Sequence, residues 1–333
     1  MDTSSHITIR ALLQAWQQED MDLQGIAAVP KSMAQNYHSQ GMDFHSGKVR
    51  DCFMDPHKTQ IIIYHSDRLS AHDRHVGIVP YRGVMLAALT HYWLKKIAPI
   101  MPQYMTDYNG ERIIFGHLGK PLAVEVIIRG YVAGSMWRDL QKGYFAPYLN
   151  ATVTEEVLKK AKPYQKLPCP IVHLTTKSKD GDCVITSADA INEGRLSDQE
   201  WQHIQKDALQ LYQLGMKEYQ RHGWILADTK CEFARSSHHS TPLLIDEVLT
   251  PDASRLWSYT NTNTAHTAKP ISWDKDIIRE YLRKKSQHHH DNNSLPKQHI
   301  ITLAQRYLDV CETLLAKPLY VKNPLYDANL NTT

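Results

Sequence analysis

Apolar positions along this chain recur with two different periods. Ile9, Leu12, Leu13 and Trp16 are spaced as one face of a helix, which predicts a short leading helix over 7–18. From about residue 42 the pattern turns to strands. Val49, Cys52 and Phe53 lead to a polar turn at Asp55-Pro56-His57, and Gln60 to Tyr64 is a β-branched apolar run of the kind that forms a buried strand. Strand, turn and strand in succession read as antiparallel. Leu86 to Ile97 is helical in pattern and is stopped by Pro99 and Pro102. Pro121 to Arg129 is the next strand, Met136 to Gln141 and Thr154 to Lys160 are short helices, and 163–170 is a proline-rich loop.

The longest predicted helix runs from Ser197 to His222. Ser197 and Glu200 have the spacing of a capping box, Trp201, Ile204, Ala208, Leu211 and Leu214 make one face, and Gly223 ends it. Two strands follow, Trp224–Phe233 and Pro242–Val248, then a linker over 265–270. Helices at Asp274–Lys285 and Lys297–Leu315 close the chain, separated by a polar loop holding His288-His289-His290. This order predicts an α+β fold with antiparallel sheets, since βαβ units do not alternate. A doubly wound dinucleotide fold is not expected, because no G-x-G-x-x-G follows a strand.

Composition narrows the class. With 333 residues there is room for two lobes, and 42% hydrophobic against 22% charged residues is the balance of a globular protein. A net charge of +3, with Lys and Arg scattered among Asp and Glu, argues against a dedicated nucleic-acid surface. It leaves room for a small basic pocket. Cys52, Cys169, Cys183, Cys231 and Cys311 are widely spaced with no C-x-x-C pair, so a reduced, cytoplasmic setting is expected rather than a disulfide framework. No apolar run approaches the ~20 residues of a membrane span, and the N-terminus lacks the regions of a signal peptide. A homo-oligomer is compatible with the sequence and has no signature in it.

Candidate chemistry is concentrated in a few segments. In Leu226-Ala227-Asp228-Thr229-Lys230-Cys231-Glu232-Phe233, strand alternation places Asp228, Lys230 and Glu232 in one row. The next strand ends at Asp246, which a hairpin brings near that row. Carboxylates on adjacent strands suit Mg²⁺, although a solvated sheet face has the same pattern. In Val124–Ser135, a strand delivers Arg129 to a glycine-containing turn and a helix start at Ser135, which is a ready anion site. The competing reading pairs Arg129 with Glu125 on the same strand face. Ser46-Gly47-Lys48-Val49-Arg50-Asp51 puts backbone and ammonium where nucleotide phosphates can approach, or is an ordinary basic turn. In Thr250-Pro251-Asp252-Ala253-Ser254-Arg255, Thr250 or Asp252 can cap a helix, leaving Ser254 and Arg255 toward an anion; plain capping is the alternative.

These segments, in this order, resemble the SAICAR synthetase family (phosphoribosylaminoimidazole-succinocarboxamide synthase). The resemblance runs through Gly47-Lys48-Val49-Arg50-Asp51, Asp67-Arg68-Leu69-Ser70-Ala71-His72-Asp73, Val124 to Arg129 with Ala133-Gly134-Ser135, and Thr175-Thr176-Lys177. It continues through Leu226 to Phe233, Ile245 to Trp257 and Ser272-Trp273-Asp274-Lys275, and so covers nearly the whole chain. It implies ATP-dependent ligation of L-aspartate to the carboxylate of CAIR, giving SAICAR, ADP and phosphate through an acyl phosphate. A paralogous carboxylate–amine ligase, a phosphotransferase with another acceptor, and a non-catalytic nucleotide-binding protein are the alternatives.

The implied fold has two lobes, an N-terminal antiparallel β lobe over 1–124 and a larger α+β lobe over 125–333, similar to ATP-grasp and kinase-like enzymes with ATP in the cleft. By the resemblance, Glu232 and Asp246 hold Mg²⁺, while Gly47, Lys48, Arg50, Lys177 and Lys230 face ATP or the reacting carboxylate. Arg129, Ser135, Asp252, Ser254 and Arg255 grip CAIR, and Asp73 and Asp228 position reactants. The chain departs from the family pattern at Tyr81-Arg82-Gly83, in a shortened run at Gly181-Asp182-Cys183-Val184, and at Ala234 after Glu232-Phe233.

Overall fold

The computed structural model describes residues 6–18, 22–72, 74–177, 183–237, 239–259, 269–286 and 295–322. The leading helix forms as its periodicity predicts: α1 (Ile9–Gln17) buries Ile9, Leu12, Leu13 and Trp16, and follows a short strand β1 (His6–Thr8). A second helix, α2 (Lys31–Ser39), buries none of its residues, which is why it left no apolar signal to read. Next come β2 (Asp43–Ser46), β3 (Arg50–Met54), β4 (Gln60–His65), and a hairpin of β5 (Arg68–Ala71) and β6 (Arg74–Ile78). The helix α3 (Arg82–Ile97) leads to β7 (Met105–Tyr108) and β8 (Ile113–His117). These strands build an antiparallel five-stranded sheet in the order β2-β3-β4-β8-β7.

The chain then enters a second sheet. Its elements are β9 (Lys120–Pro121), β10 (Val124–Tyr131), α4 (Gly134–Gln141), α5 (Glu155–Lys159), β11 (Lys166–Thr176), β12 (Val184–Ile185) and α6 (Ser187–Asn192). The long helix α7 (Asp198–Arg221) starts on the complete Ser197–Glu200 capping box that the sequence predicts. After it come β13 (Ile225–Ser236), β14 (His239–Ile245), β15 (Ser254–Ser258) and β16 (Ile271–Ser272). The closing elements are α8 (Asp276–Ser286), α9 (Lys297–Leu315) and β17 (Tyr320–Lys322), the last paired with β1. The eight-stranded sheet runs β12-β11-β10-β13-β15-β16, with β9 and β14 pairing on β13. Its strand pairs are all antiparallel.

One face of that sheet is apolar. Val124, Val126 and Ile128 of β10 are buried in one core with Leu211 and Tyr212 of α7. Gly130 is required beneath α7, because a Cβ there would lie 2.1 Å from the Tyr212 hydroxyl. The opposite face, carrying Glu125, Arg129, Asp228 and Lys230, is left for charge. No helix among the described residues is long and apolar enough to cross a membrane.

Two expectations fail locally. Lys166 to Pro170 is not a loop but the first part of β11, because Lys166 pairs with Tyr131 across the ladder. Thr250 caps no helix: its hydroxyl oxygen accepts the Ala253 N–H at 3.2 Å in a turn, and Ser254 then enters the sheet opposite Thr229. Backbone pairing with β13 outweighs a local helix start there.

The start of α3 has a remote cap. Asp67 Oδ1 accepts the Gly83 N–H at 2.8 Å and Oδ2 the Tyr81 N–H at 3.2 Å, while Arg112 closes on both oxygens at 2.7 and 3.1 Å. Gly83 is the only residue that fits beside this pair, since a Cβ would stand 2.1 Å from the His65 carbonyl oxygen. Asp67→Asn breaks the carboxylate half of a buried pair, so it should cost about 3–5 kcal/mol. Urea unfolding should show a lowered midpoint with an unchanged slope.

Candidate active site

The charged face of the large sheet forms the floor of a cleft of about 510 Å³. Strand register dictates its centre. Arg129 on β10 and Arg255 on β15 both stand directly opposite Asp228 on β13. The carboxylate therefore takes two guanidiniums: Asp228 Oδ2 accepts a short hydrogen bond from Arg129 and one of 2.8 Å from Arg255 Nη1. Asp228 is 4% exposed, so the row is not a solvated face. Nor is Glu125 the partner of Arg129, although the two share a strand face.

The helix α4 begins beside this pair. Its N-cap, Ala133, offers no side-chain cap, and Ser135 in the first turn accepts from Arg129 Nη2 at 2.9 Å. Free N–H groups at a helix start favour an anion. Gly134 is obligatory at that point: its φ is +58°, and a Cβ would lie 2.4 Å from an Arg255 guanidinium nitrogen. Arg255 also approaches Asp276 at 3.4 Å. Burial opposes its charge, but Asp228 and Asp276 outweigh that and push its pKa upward. It is a permanent cation.

Farther along the row charges alternate. Lys230 contacts Glu125 at 2.6 Å and Glu232 at 3.3 Å, and Lys177 makes a short contact with Glu232. Burial would lower Lys230, yet Glu232 and Glu125 raise it, which removes it as a proton donor or acceptor near neutrality. Burial likewise raises Glu232, but Lys230 and Lys177 hold it below the usual carboxylate range. The hairpin brings Asp246 past the end of β14, one residue beyond the Glu232–Ile245 pair, at the left-handed φ of 66°. There Arg50 Nη1 grips Asp246 at 2.7 Å and reaches Glu247 at 3.3 Å. Burial, and then Glu232 and Glu247 acting against Arg50, push the Asp246 carboxyl up to about 6.

This donor set fits a small oxygen-loving cation. Glu232, Asp246 and Glu247 supply carboxylate oxygens close together, and the upward shift at Asp246 comes first from burial and then from the two neighbouring carboxylates, against Arg50. Among the described residues no group of three or more His, Cys, Asp or Glu is arranged to hold a metal alone. Mg²⁺ does not need one, because one or two carboxylates with nucleotide phosphates complete its shell.

The sequence-derived residues thus divide into two groups. Arg129, Ser135, Asp228, Lys230, Asp252, Ser254 and Arg255 line the cleft; Gly47, Lys48, Arg50, Lys177, Glu232 and Asp246 are outside its lining. Lys230 joins the groups. Gly47 and Lys48 form the β2–β3 turn, their carbonyls held by Arg68, and the Lys48 side chain is exposed. Asp252 touches the cleft, but its oxygens are already committed to Arg82 at 2.8 Å, Lys275 at 2.6 Å and the Tyr307 hydroxyl at 2.8 Å. Ser254 donates to the Thr229 hydroxyl at 2.9 Å. Asp73, Gly181 and Asp182 lie outside the described residues. Sequence reading assigned no role to Arg82, Lys275 or Asp276 here. Alternation places Glu125 on the correct face, and the competing reading that pairs it with Arg129 fails because Lys230 is its partner.

The SAICAR synthetase family model matches residues 43–295. A phosphoribosylaminoimidazole-succinocarboxamide synthase of Legionella pneumophila is 32% identical over 84% of this chain and 90% of its own length. The chloroplastic enzyme of Arabidopsis thaliana is 30% identical over 84% of this chain and 69% of its own. Among solved structures, a SAICAR synthase from Saccharomyces cerevisiae complexed with SAICAR superposes with a TM-score of 0.68 at 26% identity, covering 84% of this chain and 96% of that one. The fold is that of a two-lobed α+β ligase that uses ATP. The chain belongs to the SAICAR synthetase family, whose members join L-aspartate to CAIR in purine biosynthesis.

Gly134→Ala places a methyl group against Arg255 and a side chain at positive φ, costing about 1 kcal/mol or more. The variant should remain folded by circular dichroism while the KM for the anionic substrate rises at least several-fold.

Proposed function

We propose that the cleft takes CAIR with its phosphate or carboxylate on Arg129, Ser135 and Arg255, and that ATP lies toward Lys48, Lys177 and Lys230. What carries this reading is the pairing of Arg129 and Arg255 on the single carboxylate of Asp228, next to an uncapped helix start. Both guanidiniums are held in place by carboxylates before substrate arrives, so an arriving dianion meets preformed donors and little reorganisation is needed. Asp228 orients them. Ser254 and Asp252 shape the wall of the site, with Asp252 acting through Lys275 and Arg82.

The reaction proceeds in two displacements. A carboxylate oxygen of CAIR attacks the γ-phosphorus of ATP, forming an acyl phosphate as the bond to ADP breaks. The amine of L-aspartate then attacks the acyl carbon, forming the C–N bond, losing a proton and releasing phosphate. Lys230 and Lys177, each paired with a carboxylate, face the transferred phosphoryl group and stabilise its spreading negative charge. Glu232 and Asp246 would hold Mg²⁺, which supplies further charge neutralisation on the nucleotide phosphates when bound. Opening the Lys177–Glu232 and Arg50–Asp246 pairs would free those carboxylates for it. Asp73, beyond the β5 strand, is assigned to positioning the reactants. In this reading the lobes divide near residue 124, where the first sheet ends and the second begins, and ATP sits between them.

ADP release measured with CAIR, with and without L-aspartate, tests the assignment. Turnover should require all three substrates. Aspartate-independent formation of a stable phosphorylated product would point to a phosphotransferase. Glu232→Ala should abolish Mg²⁺-dependent turnover and leave the fold intact, and normal activity in that variant would remove the metal assignment. Arg255→Ala should raise the KM for CAIR by roughly tenfold or more, the scale of one charge-assisted contact, with a smaller change for ATP. The reverse order would move Arg255 out of the CAIR site.

A further inference from the structure

Arg129 is fixed from three directions. Two of its nitrogens reach Asp228 and Ser135, and its Nε donates to His173 Nε2 at 2.9 Å. His173 comes from β11, where it stands opposite Ile127, and is 2% exposed. A guanidinium only donates, so Nε2 must be the bare ring nitrogen and the proton sits on Nδ1. Burial and the Arg129 charge hold this imidazole well below its usual range, against a smaller upward pull from the Leu174 backbone, which keeps it neutral.

Nδ1 has no hydrogen-bond partner of good geometry among the described residues. The ring instead meets the Tyr148 ring edge-on, with centroids 4.9 Å apart. A buried N–H without a partner weakens a fold, and an apolar side chain at this position would avoid that loss. Histidine is therefore a poor choice here for stability and a good one for aiming Arg129. Ser135 and Asp228 hold the far end of the guanidinium, and only His173 holds Nε, the atom nearest its pivot.

We propose that His173 is a positioning residue for substrate binding, its Nε2 lone pair fixing the plane of the Arg129 guanidinium toward the anionic group of CAIR. The inference rests on the assignment of Arg129 to CAIR. It involves no contact between His173 and substrate, and no proton transfer.

Steady-state kinetics and thermal melts on the full chain, with CAIR, ATP and L-aspartate varied in turn, provide the test. His173→Leu removes the acceptor, and His173→Gln restores one through its amide oxygen. The Leu variant should raise the KM for CAIR about tenfold, the effect of one charge-assisted hydrogen bond, with kcat and the KM for ATP within about twofold. The Gln variant should recover most of that loss. Arg129→Met serves as the reference: in its background, adding His173→Leu should change the KM for CAIR no further. If Arg129→Met raises that KM and His173→Leu does not, or if the two effects multiply, the positioning role is overturned and the CAIR site stands. If Arg129→Met leaves the KM unchanged, the site assignment fails and the inference fails with it. A Leu variant too unstable to assay leaves the Gln variant to decide, because a drop in melting temperature with unchanged CAIR kinetics in His173→Gln, together with an unchanged CAIR KM when Gln is replaced by Met, overturns the proposal.

Discussion

Asp228 holds two arginines on one carboxylate, and the arrangement of the cleft depends on it. The three residues lie side by side only because β10, β13 and β15 are neighbours in antiparallel register. Charges this deeply placed must be paired or they destabilise the fold by several kcal/mol. Asp228 meets that requirement for Arg129, and Asp228 together with Asp276 meets it for Arg255.

The same rule organises the surroundings. Asp252 pairs with both Arg82 and Lys275, Asp67 with Arg112, and Arg50 with Asp246. These pairs serve different ends. Arg112–Asp67 anchors α3 and has no opening to the cleft, so it is architecture. Arg50–Asp246 joins the first sheet to the hairpin of the second. Lys177–Glu232 and Lys230–Glu125 continue that alternation of charge.

Much of the architecture was legible in the chain because local rules and tertiary packing agree. The capping box at Ser197–Glu200, the apolar face of α1 and the apolar alternation of β10 depend on near neighbours alone. Where they disagree, packing wins. Thr250-Pro251 has the chemistry of a helix start but forms a turn into β15, because its neighbours complete the ladder with Thr229. Lys166 to Pro170 has loop composition but joins β11. Of the site, the row Asp228, Lys230, Glu232 and the glycine-containing turn into the helix at Gly134-Ser135 follow from alternation and turn chemistry. Arg82, Lys275 and His173 do not, since each acts through a residue far away in sequence: Arg82 and Asp252 are paired across 170 positions.

Taken alone, the amino-acid sequence determined the α+β class, nearly all the helices, the charged face of β13 and, through the order of its motifs, the family. These are properties of residue type and short spacing, which periodicity and motif order record directly. Which charge meets which was decided only in three dimensions. Glu125 lies four residues from Arg129 on the same face of β10 and yet binds Lys230; Arg129 turns instead to Asp228, Ser135 and His173. The reason is physical: a strand fixes the face on which a side chain emerges, but its partner is set by the register of the neighbouring strand, and register is a property of the assembled sheet.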